Sequence, residues 1–333
     1  MNKSVRGAVV VAVTLMSVAS VSACGSSSGG GSASGSKTVY LVSSVGTGWQ
    51  AGYNSAFMNT LKDKGLTVEY LQDPFDVNKN VSNLDQAIAS RPAAVAFMAL
   101  STTAVLPSLE RAKKLKVPVV SLDGRPDPRA VGLLASSLEA DNYALGKFAA
   151  QNIVEGLQKQ GRKSGNIIAL TGTAATNTVQ DRMKGFKEVL AATPQYELVA
   201  TEDANWDQTK TAQLAQQLFA KYKSQGGIAG AYGMADNQAA GIIQAAKQAG
   251  VDIGGTNGLI VTGSNCYKSG IDAIKADTQY GTATQAPGTE GVWAAEYVAK
   301  LVDGQKIPEQ ALNQEARVTP DNVNQYAAEC SSA

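Results

Sequence analysis

Short apolar runs rich in β-branched residues alternate with helical periodicities along most of the chain, and this alternation constrains the fold more than any other feature. In the first half the runs lie at 38–44, 67–72, 93–98 and 117–122. After the first run, Tyr53, Phe57 and Leu61 recur every four residues, which is helical spacing. Strands that are apolar throughout and separated by helices indicate a parallel sheet with both faces covered.

The same order begins again after a long helical stretch at 141–158. Further strands are predicted at 166–171, 197–201, 230–233, 259–262 and near 280–285, and further helices from Thr178, Asp207, Asp236 and Tyr267 and at 288–302. We therefore predict an α/β fold with two doubly wound parallel-sheet lobes. Ligands of open parallel sheets bind beyond the carboxyl ends of the strands, so two facing units would share one cleft.

The N-terminus has the pattern of an export signal. Lys3 and Arg6 precede an apolar run at 8–21, which is short for crossing a hydrocarbon core of about 30 Å. The run ends in Val-Ser-Ala-Cys, which resembles the bacterial lipobox and implies that Cys24 is lipidated. Residues 25–36 are Gly, Ser and one Ala, a composition typical of a flexible tether. We predict a signal peptide at 1–23, a lipidated cysteine plus tether at 24–36, and lipid anchoring to the outer face of the cytoplasmic membrane.

The chain has no histidine, and its 29 Lys and Arg nearly balance its 28 Asp and Glu. The lack of histidine excludes Ser-His-Asp and Cys-His triads, a histidine general base and the commonest zinc sites. A net charge of +1 argues against a nucleic-acid partner, which needs a basic face. Cys266 and Cys330 remain once Cys24 is assigned to lipid. An oxidising compartment favours a disulfide between them, with two free thiols as the alternative.

One motif points to a different chemistry. Gly46, Gly48 and Ala51 satisfy G-x-G-x-x-A between a strand and a helix, and Glu69 follows about 20 residues on, as in the dinucleotide-binding fingerprint. However, Trp49 lies in the turn, where a pyrophosphate needs an open helix N-terminus. Glycines that merely let the chain turn explain the motif better. An NAD-dependent oxidoreductase is kept as a minor alternative.

Polar and aromatic side chains follow the predicted strands in both halves. They are Asp123, Arg125, Arg182, Trp206, Asp236, Asn265 and Gln285. Charged and amide side chains can bridge neighbouring hydroxyls, and an indole packs on the apolar face of a sugar ring. Each residue alone also has a structural interpretation, since Asp207 and Asp236 precede helices and are good N-caps. Their recurrence at strand ends predicts a concave site for a small polyhydroxylated ligand.

Four stretches carry a resemblance to a known family: VVSLD at 119–123, EADNYALG at 139–146, DRMKGF at 181–186 and DNQAAG at 236–241. In order and spacing they resemble the periplasmic sugar-binding proteins of the ribose-binding type, the solute receptors of ABC importers. The resemblance covers about 38–312 and implies a type I periplasmic binding protein, whose fold is shared with sugar-responsive repressors. It implies an N-terminal lobe at 37–140 and 286–313 and a C-terminal lobe at 141–285 and 314–333. A three-segment hinge would cross near 138–141, 285–288 and 313–315.

The resemblance also implies roles for single residues. Trp49 and Gln50 fall on the aromatic wall of the N-terminal lobe, and Trp206 opposes them from the other lobe. The hydroxyl-binding aspartate, the arginine of the second lobe and the glutamine of the last hinge strand correspond to Asp123, Arg182 and Gln285.

Departures from the family pattern indicate a changed pocket. Arg125 lies one place later than the arginine that follows Asp123 in the family. Ala235 replaces an asparagine, Asn265 replaces an aspartate of the second lobe, and Gln50 replaces one of two paired aromatics. Another pentose, a hexose, a polyol or a cyclitol therefore fits as well as ribose.

Together these features predict a monomeric binding protein, not an enzyme, without cofactor or metal. It would capture a sugar or polyol and present it to an ABC permease, and a sensory role beside a membrane receptor is the alternative that the sequence leaves open. A secreted glycoside hydrolase is the other enzymatic alternative, for which Glu202, Asp203 and Asp207 supply carboxylates but no fixed pair. A sugar-responsive repressor would need a DNA-binding helix pair where this chain has its export signal.

Overall fold

A computed structural model describes residues 37–44, 48–124 and 127–330, in which strands and helices alternate as predicted. The first part of the chain contains β1 (Thr38–Ser44), α1 (Gly48–Asp63), β2 (Thr67–Asp73), α2 (Val77–Ala89), β3 (Ala94–Phe97), α3 (Leu106–Leu115), β4 (Val119–Leu122) and β5 (Ser136–Ala140). The middle part contains α4 (Asn142–Lys159), β6 (Gly165–Thr171), α5 (Asn177–Ala191), β7 (Tyr196–Asp203), α6 (Gln208–Tyr222), β8 (Gly230–Gly233), α7 (Asp236–Ala249), β9 (Ile260–Thr262) and α8 (Lys268–Lys275). The last part contains β10 (Thr282–Ala283), α9 (Pro287–Val302), β11 (Gln310–Asn313), β12 (Arg317–Val318) and α10 (Val323–Cys330).

The first sheet is parallel throughout, in the order β11-β5-β4-β3-β1-β2. Every residue of β3 and β4 is buried, as expected for strands covered on both faces. One core cluster packs α1 and α9 against the sheet, and a second packs α2 and α3 against it. We call this sheet with its helices the N-terminal lobe.

The second sheet is also parallel, in the order β7-β6-β8-β9. Helices α4 and α5 cover one face and α6 and α7 the other, because two core clusters share its strands. The short antiparallel pair β10 and β12 lies beyond β9, which it reaches through the bridge from Thr262 to Gly281. We call this part the C-terminal lobe. Both lobes belong to one compact unit of the chain.

The chain passes between the lobes three times: from β5 to α4, from β10 to α9, and from β11 to β12. The carboxyl ends of both sheets lie at these crossings, and the predicted α/β fold with two parallel sheets is confirmed. The strands β5, β11 and β12 and the helix α10 were not predicted. The predicted strand at 280–285 is shorter than expected, since only Thr282–Ala283 pair as a strand.

Several predictions concern residues that the structure does not describe. The signal peptide at 1–23, the tether at 24–36 with Cys24, and Arg125 all lie outside the described ranges. Within those ranges, no helix combines the length and apolar character needed to cross a membrane.

Candidate ligand-binding site

Arg182 lies at the centre of the candidate site. It is only 1% exposed, and arginine is almost never buried without partners. Its Nε donates to Asn142 Oδ1 and its Nη1 to the Met234 carbonyl oxygen, both at 2.9 Å. Nη1 also donates to Asn265 Oδ1 at 3.4 Å, and Nη2 donates to Gln285 Oε1 at 2.5 Å. These four hydrogen bonds all go to neutral acceptors and use most of the five guanidinium donors.

Two glycines let α5 bring Arg182 this far into its lobe. A Cβ at Gly146 in α4 would lie 1.8 Å from the Arg182 carbonyl oxygen, and one at Gly185 in α5 would lie 2.1 Å from the Tyr143 carbonyl oxygen. Because neither glycine has a side chain, α4 and α5 touch backbone to backbone. The EADNYALG and DRMKGF stretches therefore supply both the arginine and the packing that positions it.

Gln285 connects this arginine to the other lobe. Besides the bond from Arg182, its Oε1 accepts from Asn265 Nδ2 at 2.7 Å. Its Nε2 donates to Asp123 Oδ1 at 3.2 Å, just after β4. Gln285 is itself buried and lies on the second crossing between the lobes. The network thus runs from α5 through a hinge segment to the end of β4.

Asp123 also receives a direct contact from the C-terminal lobe. Thr178 Oγ1, in the first turn of α5, donates to the Asp123 carbonyl oxygen at 3.2 Å. Burial raises the pKa of the Asp123 carboxyl to about 7, while Arg182 lowers it and Glu139 raises it further. The two lobes are therefore in contact at the site, around a carboxyl that is a weaker acid than in water.

Each lobe contributes one indole to the surroundings of this network. Trp49 is buried in the first turn of α1, where its Nε1 donates to the Gln285 carbonyl oxygen at 2.9 Å. Its ring stacks on Tyr53 with 5.1 Å between the ring centroids. Trp206 is partly buried, and the Arg182 guanidinium carbon lies 5.6 Å from its ring centroid. The Trp206 ring and the Arg182 cation are thus neighbours in the C-terminal lobe.

The residues at the strand ends share an unusual backbone conformation. Asp123, Trp206 and Asn265 have φ values of 55°, 61° and 82°, in the left-handed region. This conformation costs about 1–3 kcal/mol for a residue with a side chain, and it persists where the surroundings fix it. For Trp206, the Asn237 Nδ2 donates to its carbonyl oxygen at 2.8 Å, and its ring lies where a Cβ at Gly172 would be 1.8 Å away.

Asp236 turns into its own lobe and does not point along the network. Its carboxylate accepts from the Tyr267 backbone N–H and from Gln279 Nε2, both at 2.8 Å. It is not the N-cap of α7, because Ala235 takes that position without a side-chain hydrogen bond. Burial raises the pKa of Asp236 to about 7. Through these two hydrogen bonds, Asp236 stabilises the turn that follows Asn265.

Cys266 and Cys330 form the disulfide that the sequence predicted, with their Cα atoms 4.9 Å apart. Both cysteines are fully buried beside Val318 and Val323. The bridge ties the last helix to the turn after β9. Because Cys266 follows Asn265 directly, it also fixes the backbone next to an amide that bonds Arg182 and Gln285.

Three residues near the network were missed by the sequence reasoning. Asn142 lies inside one of the stretches that carry the resemblance, and Thr178 is in the first turn of the helix that carries Arg182. Glu290 lies in the first turn of α9, shortly after Gln285, and is 1% exposed, which nothing in its sequence context indicates. Among the predicted residues, Gln50 follows Trp49, and its Oε1 is buried without a hydrogen-bond partner in the described part of the chain.

The side chains behind the two enzymatic alternatives have other roles. Trp49 directs its indole N–H inward at the start of α1, where a dinucleotide would need an open helix end. Asp203 accepts from the Ala174 backbone N–H at 2.9 Å, and Asp207 caps α6 by accepting from the Lys210 backbone N–H at 2.6 Å. These carboxylates stabilise loops and a helix end, which favours neither alternative.

Comparison with known proteins agrees with this arrangement. Residues 38–306 match the family model of the periplasmic binding protein domain. The galactofuranose-binding protein YtfQ of Escherichia coli is 25% identical over 231 residues, 68% of this chain and 71% of that protein. The xylitol-binding protein of Mycolicibacterium smegmatis is 25% identical over 291 residues, 86% of this chain and 77% of that protein.

A crystal structure of a galactofuranose binding protein shares the fold, with a TM-score of 0.79 at 21% identity, over 88% of this chain and 97% of that chain. This likeness covers both lobes and confirms the predicted type I architecture. The ribose import binding protein RbsB of Bacillus subtilis is 26% identical over 246 residues, 74% of this chain and 75% of that protein. Since the family model spans most of the described residues, the chain belongs to the periplasmic binding protein family, and it is of the ribose-binding type that its sequence predicts.

Proposed function

We propose that this chain is an extracytoplasmic solute-binding protein that captures a sugar or polyol between its two lobes and hands it to an ABC import permease. One observation carries this proposal: the hydrogen-bonded network from Arg182 through Gln285 to Asp123 connects both lobes at the strand ends. Charge-assisted donors and carboxylate acceptors beside two indoles match the hydroxyls and apolar faces of a carbohydrate.

Lobe closure supplies the mechanism. Asp123 and Trp49 belong to the N-terminal lobe, whereas Arg182, Trp206 and Asn265 belong to the C-terminal lobe. A ligand that touches both sets makes all its contacts only when the lobes are shut. It shifts the equilibrium toward the closed form by its difference in affinity for the two forms. The permease would recognise that closed form.

The relatives support the ligand class, because their names record binding of galactofuranose and of xylitol. They are binding proteins, which agrees with a role without catalysis. The two ligands are a sugar ring and an open-chain polyol, and both carry several adjacent hydroxyls. We therefore assign a small polyhydroxylated ligand to this chain and leave the individual compound to the experiment.

A thermal-shift screen tests the assignment with D-ribose, D-galactose, L-arabinose, xylitol and myo-inositol. At about 100 times its dissociation constant, a ligand stabilises the native state by about 2.7 kcal/mol. We expect a raised melting temperature for at least one compound and saturable one-to-one binding by calorimetry. Absence of any shift across the panel would refute the proposal, and product release from chromogenic glycosides would support the hydrolase instead.

We further propose that Cys24 carries the lipid that holds the protein at the outer face of the cytoplasmic membrane. In cells, the full-length chain should fractionate with membranes, and Cys24→Ser should leave the mature protein in the soluble extracytoplasmic fraction. Ser26→Ala, two residues along the tether, is the matched control and should stay with membranes. Equal distribution of the Cys24→Ser and wild-type proteins would contradict the lipid anchor.

A further inference from the structure

The turn after β9 has an unfavourable backbone conformation next to the site. Asn265 and Cys266 have φ values of 82° and 56°, so two consecutive residues with side chains adopt the left-handed conformation. Such a conformation costs free energy and persists where the surroundings fix it. Contacts to other parts of the lobe must therefore anchor this turn.

Asp236 anchors the backbone on both sides of the left-handed pair. Its backbone N–H donates to the Ser264 carbonyl oxygen at 2.8 Å, and its carboxylate accepts from the Tyr267 backbone N–H, also at 2.8 Å. The side chain of Cys266 supplies a second anchor, because its disulfide to Cys330 ties the turn to α10. The turn is therefore held both by α7 and by the last helix.

The disulfide also links the turn to the strand pair that precedes Gln285. Both cysteines are buried in one apolar cluster with Val318. Val318 lies opposite Thr282 in the antiparallel pair of β10 and β12, and Gln285 comes shortly after β10. Through packed side chains, the disulfide therefore joins the two chain segments that carry the amides of Asn265 and Gln285.

The amide of Asn265 tolerates little movement. Its Nδ2 donates to Gln285 Oε1 at 2.7 Å, and its Oδ1 accepts from Arg182 Nη1 at 3.4 Å. The second distance is close to the limit for a hydrogen bond, which is lost at about 3.6 Å. A small displacement of the turn away from α5 would therefore release Asn265 from Arg182.

We propose that the disulfide between Cys266 and Cys330 is a positioning element of the binding site, so that the oxidised protein binds ligand more tightly than the form with two free thiols. This inference rests on the proposed function. Without the disulfide the left-handed turn relaxes, and Asn265 leaves the position in which it bonds Arg182 and Gln285. Because cytosolic thiols are kept reduced, the site is completed only in an oxidising compartment.

The test uses the full-length chain with Cys24→Ser, in which Cys266 and Cys330 are the two remaining cysteines. Dithiothreitol reduces the protein while it is unfolded in urea. The bond between the two Sγ atoms breaks, two electrons and two protons convert it to two thiols, and dithiothreitol closes to its cyclic disulfide. The protein is then refolded with dithiothreitol present, and a second sample is refolded without it.

D-ribose, D-galactose, L-arabinose, xylitol and myo-inositol are titrated into both forms by calorimetry. We expect the dithiol form to bind about tenfold more weakly than the disulfide form, because it loses hydrogen bonds to a charged group. Oxidised glutathione, which takes up the two electrons and two protons as it becomes two glutathione thiols, should restore the affinity. Equal affinity of the two forms would overturn the inference.

A double-mutant cycle distinguishes positioning from a general loss of stability. Cys330→Ser should weaken binding about tenfold, and Asn265→Ala should weaken it at least as much. If the disulfide acts through Asn265, the double variant should bind about as weakly as Asn265→Ala alone. Independent losses, which would multiply to about 100-fold or more in the double variant, would contradict this role.

Gly165→Ala is the matched control for lost stability. Its Cβ would lie 2.6 Å from Ala229 Cβ, at the start of β6 and therefore away from the strand carboxyl ends. It should lower the melting temperature and leave affinity unchanged. Cys330→Ala, which buries no hydroxyl, replaces Cys330→Ser in the cycle if the serine variant does not fold. A disulfide form that binds none of the five compounds would overturn the proposed function and this inference with it.

Discussion

Gly146 determines how deeply Arg182 lies in the C-terminal lobe, so Gly146→Ala is the most direct perturbation of the site. The added Cβ would lie 1.8 Å from the Arg182 carbonyl oxygen, whereas real Cβ contacts essentially never fall below 3.0 Å. From the difference between these two distances, α4 and α5 must separate by about 1.2 Å. The bonds from Arg182 to Asn142 and Met234, each 2.9 Å long, would then exceed hydrogen-bonding length if α5 makes the whole movement.

We expect two separate effects of Gly146→Ala. Overpacking between the helices should lower the free energy of unfolding by about 1–3 kcal/mol. Displacement of the guanidinium should lower ligand affinity by about tenfold or more, because a hydrogen bond to a charged group contributes about 1.5–3 kcal/mol. Urea unfolding followed by circular dichroism measures the first effect. Calorimetric titration with the tightest ligand of the screening panel measures the second.

Gly230→Ala is the matched control. Its Cβ would lie 2.5 Å from Ile153 Cγ2, at the start of β8 and therefore at the end of the same lobe away from the strand carboxyl ends. It should lower stability and leave affinity unchanged. Wild-type affinity in Gly146→Ala would refute the reasoning, because the position of Arg182 would then not matter for binding.

Three further predictions concern other parts of the molecule. Trp206→Ala should weaken binding by about 1–3 kcal/mol in the same titration if the indole stacks on the ligand, and an unchanged affinity would remove it from the site. Burial raises the pKa of the Asp236 carboxyl from 3.8 to about 7. Between these two values the native state holds a proton that the unfolded chain has released, so the free energy of unfolding falls as pH rises from 4 to 7. Asp236→Asn should therefore reduce this slope by up to about 1.4 kcal/mol per pH unit in urea unfolding between pH 5 and 7, and an identical slope would contradict the assignment. Cys330→Ser should lose about 2–4 kcal/mol of unfolding free energy, because the disulfide closes a loop across 64 residues. If variant and wild type are equally stable without reductant, the disulfide does not form.

The central strands could be predicted from the sequence because burial on both faces demands continuous apolar runs. The predicted bounds of β1 and β8 agree with the structure. Strand β5 was missed because it contains Ser137 and Glu139, which are buried as polar partners of one another at 2.8 Å. Strand β11 was missed because it lies at the sheet edge, where its alternating exposure resembles a loop. In both cases tertiary contacts override the local pattern.

The candidate site could be predicted in part, because parallel strands bring their carboxyl ends to one edge whatever the intervening sequence. Asn265 follows β9 and Arg182 lies in the helix after β6, and the two residues are within hydrogen-bonding distance. Both also bond Gln285, to which the resemblance gave a role in the site but which follows the antiparallel strand β10. Asp236 shares the same kind of position, but Tyr267 and Gln279 turn its carboxylate into the lobe. Those partners lie 31 and 43 residues away in sequence, and no local pattern reveals them.

Gln285 has a consequence for the design of sensors and altered specificities from this scaffold. Its backbone oxygen holds Trp49, and its amide group bonds Arg182, Asn265 and Asp123. The same residue lies on the second crossing between the lobes, which we propose bends when the cleft opens. A substitution of Gln285 would change ligand binding and the opening of the cleft together, so neither property could be altered alone at this position. Engineers who want a new ligand with the original opening behaviour should vary the walls and preserve this glutamine.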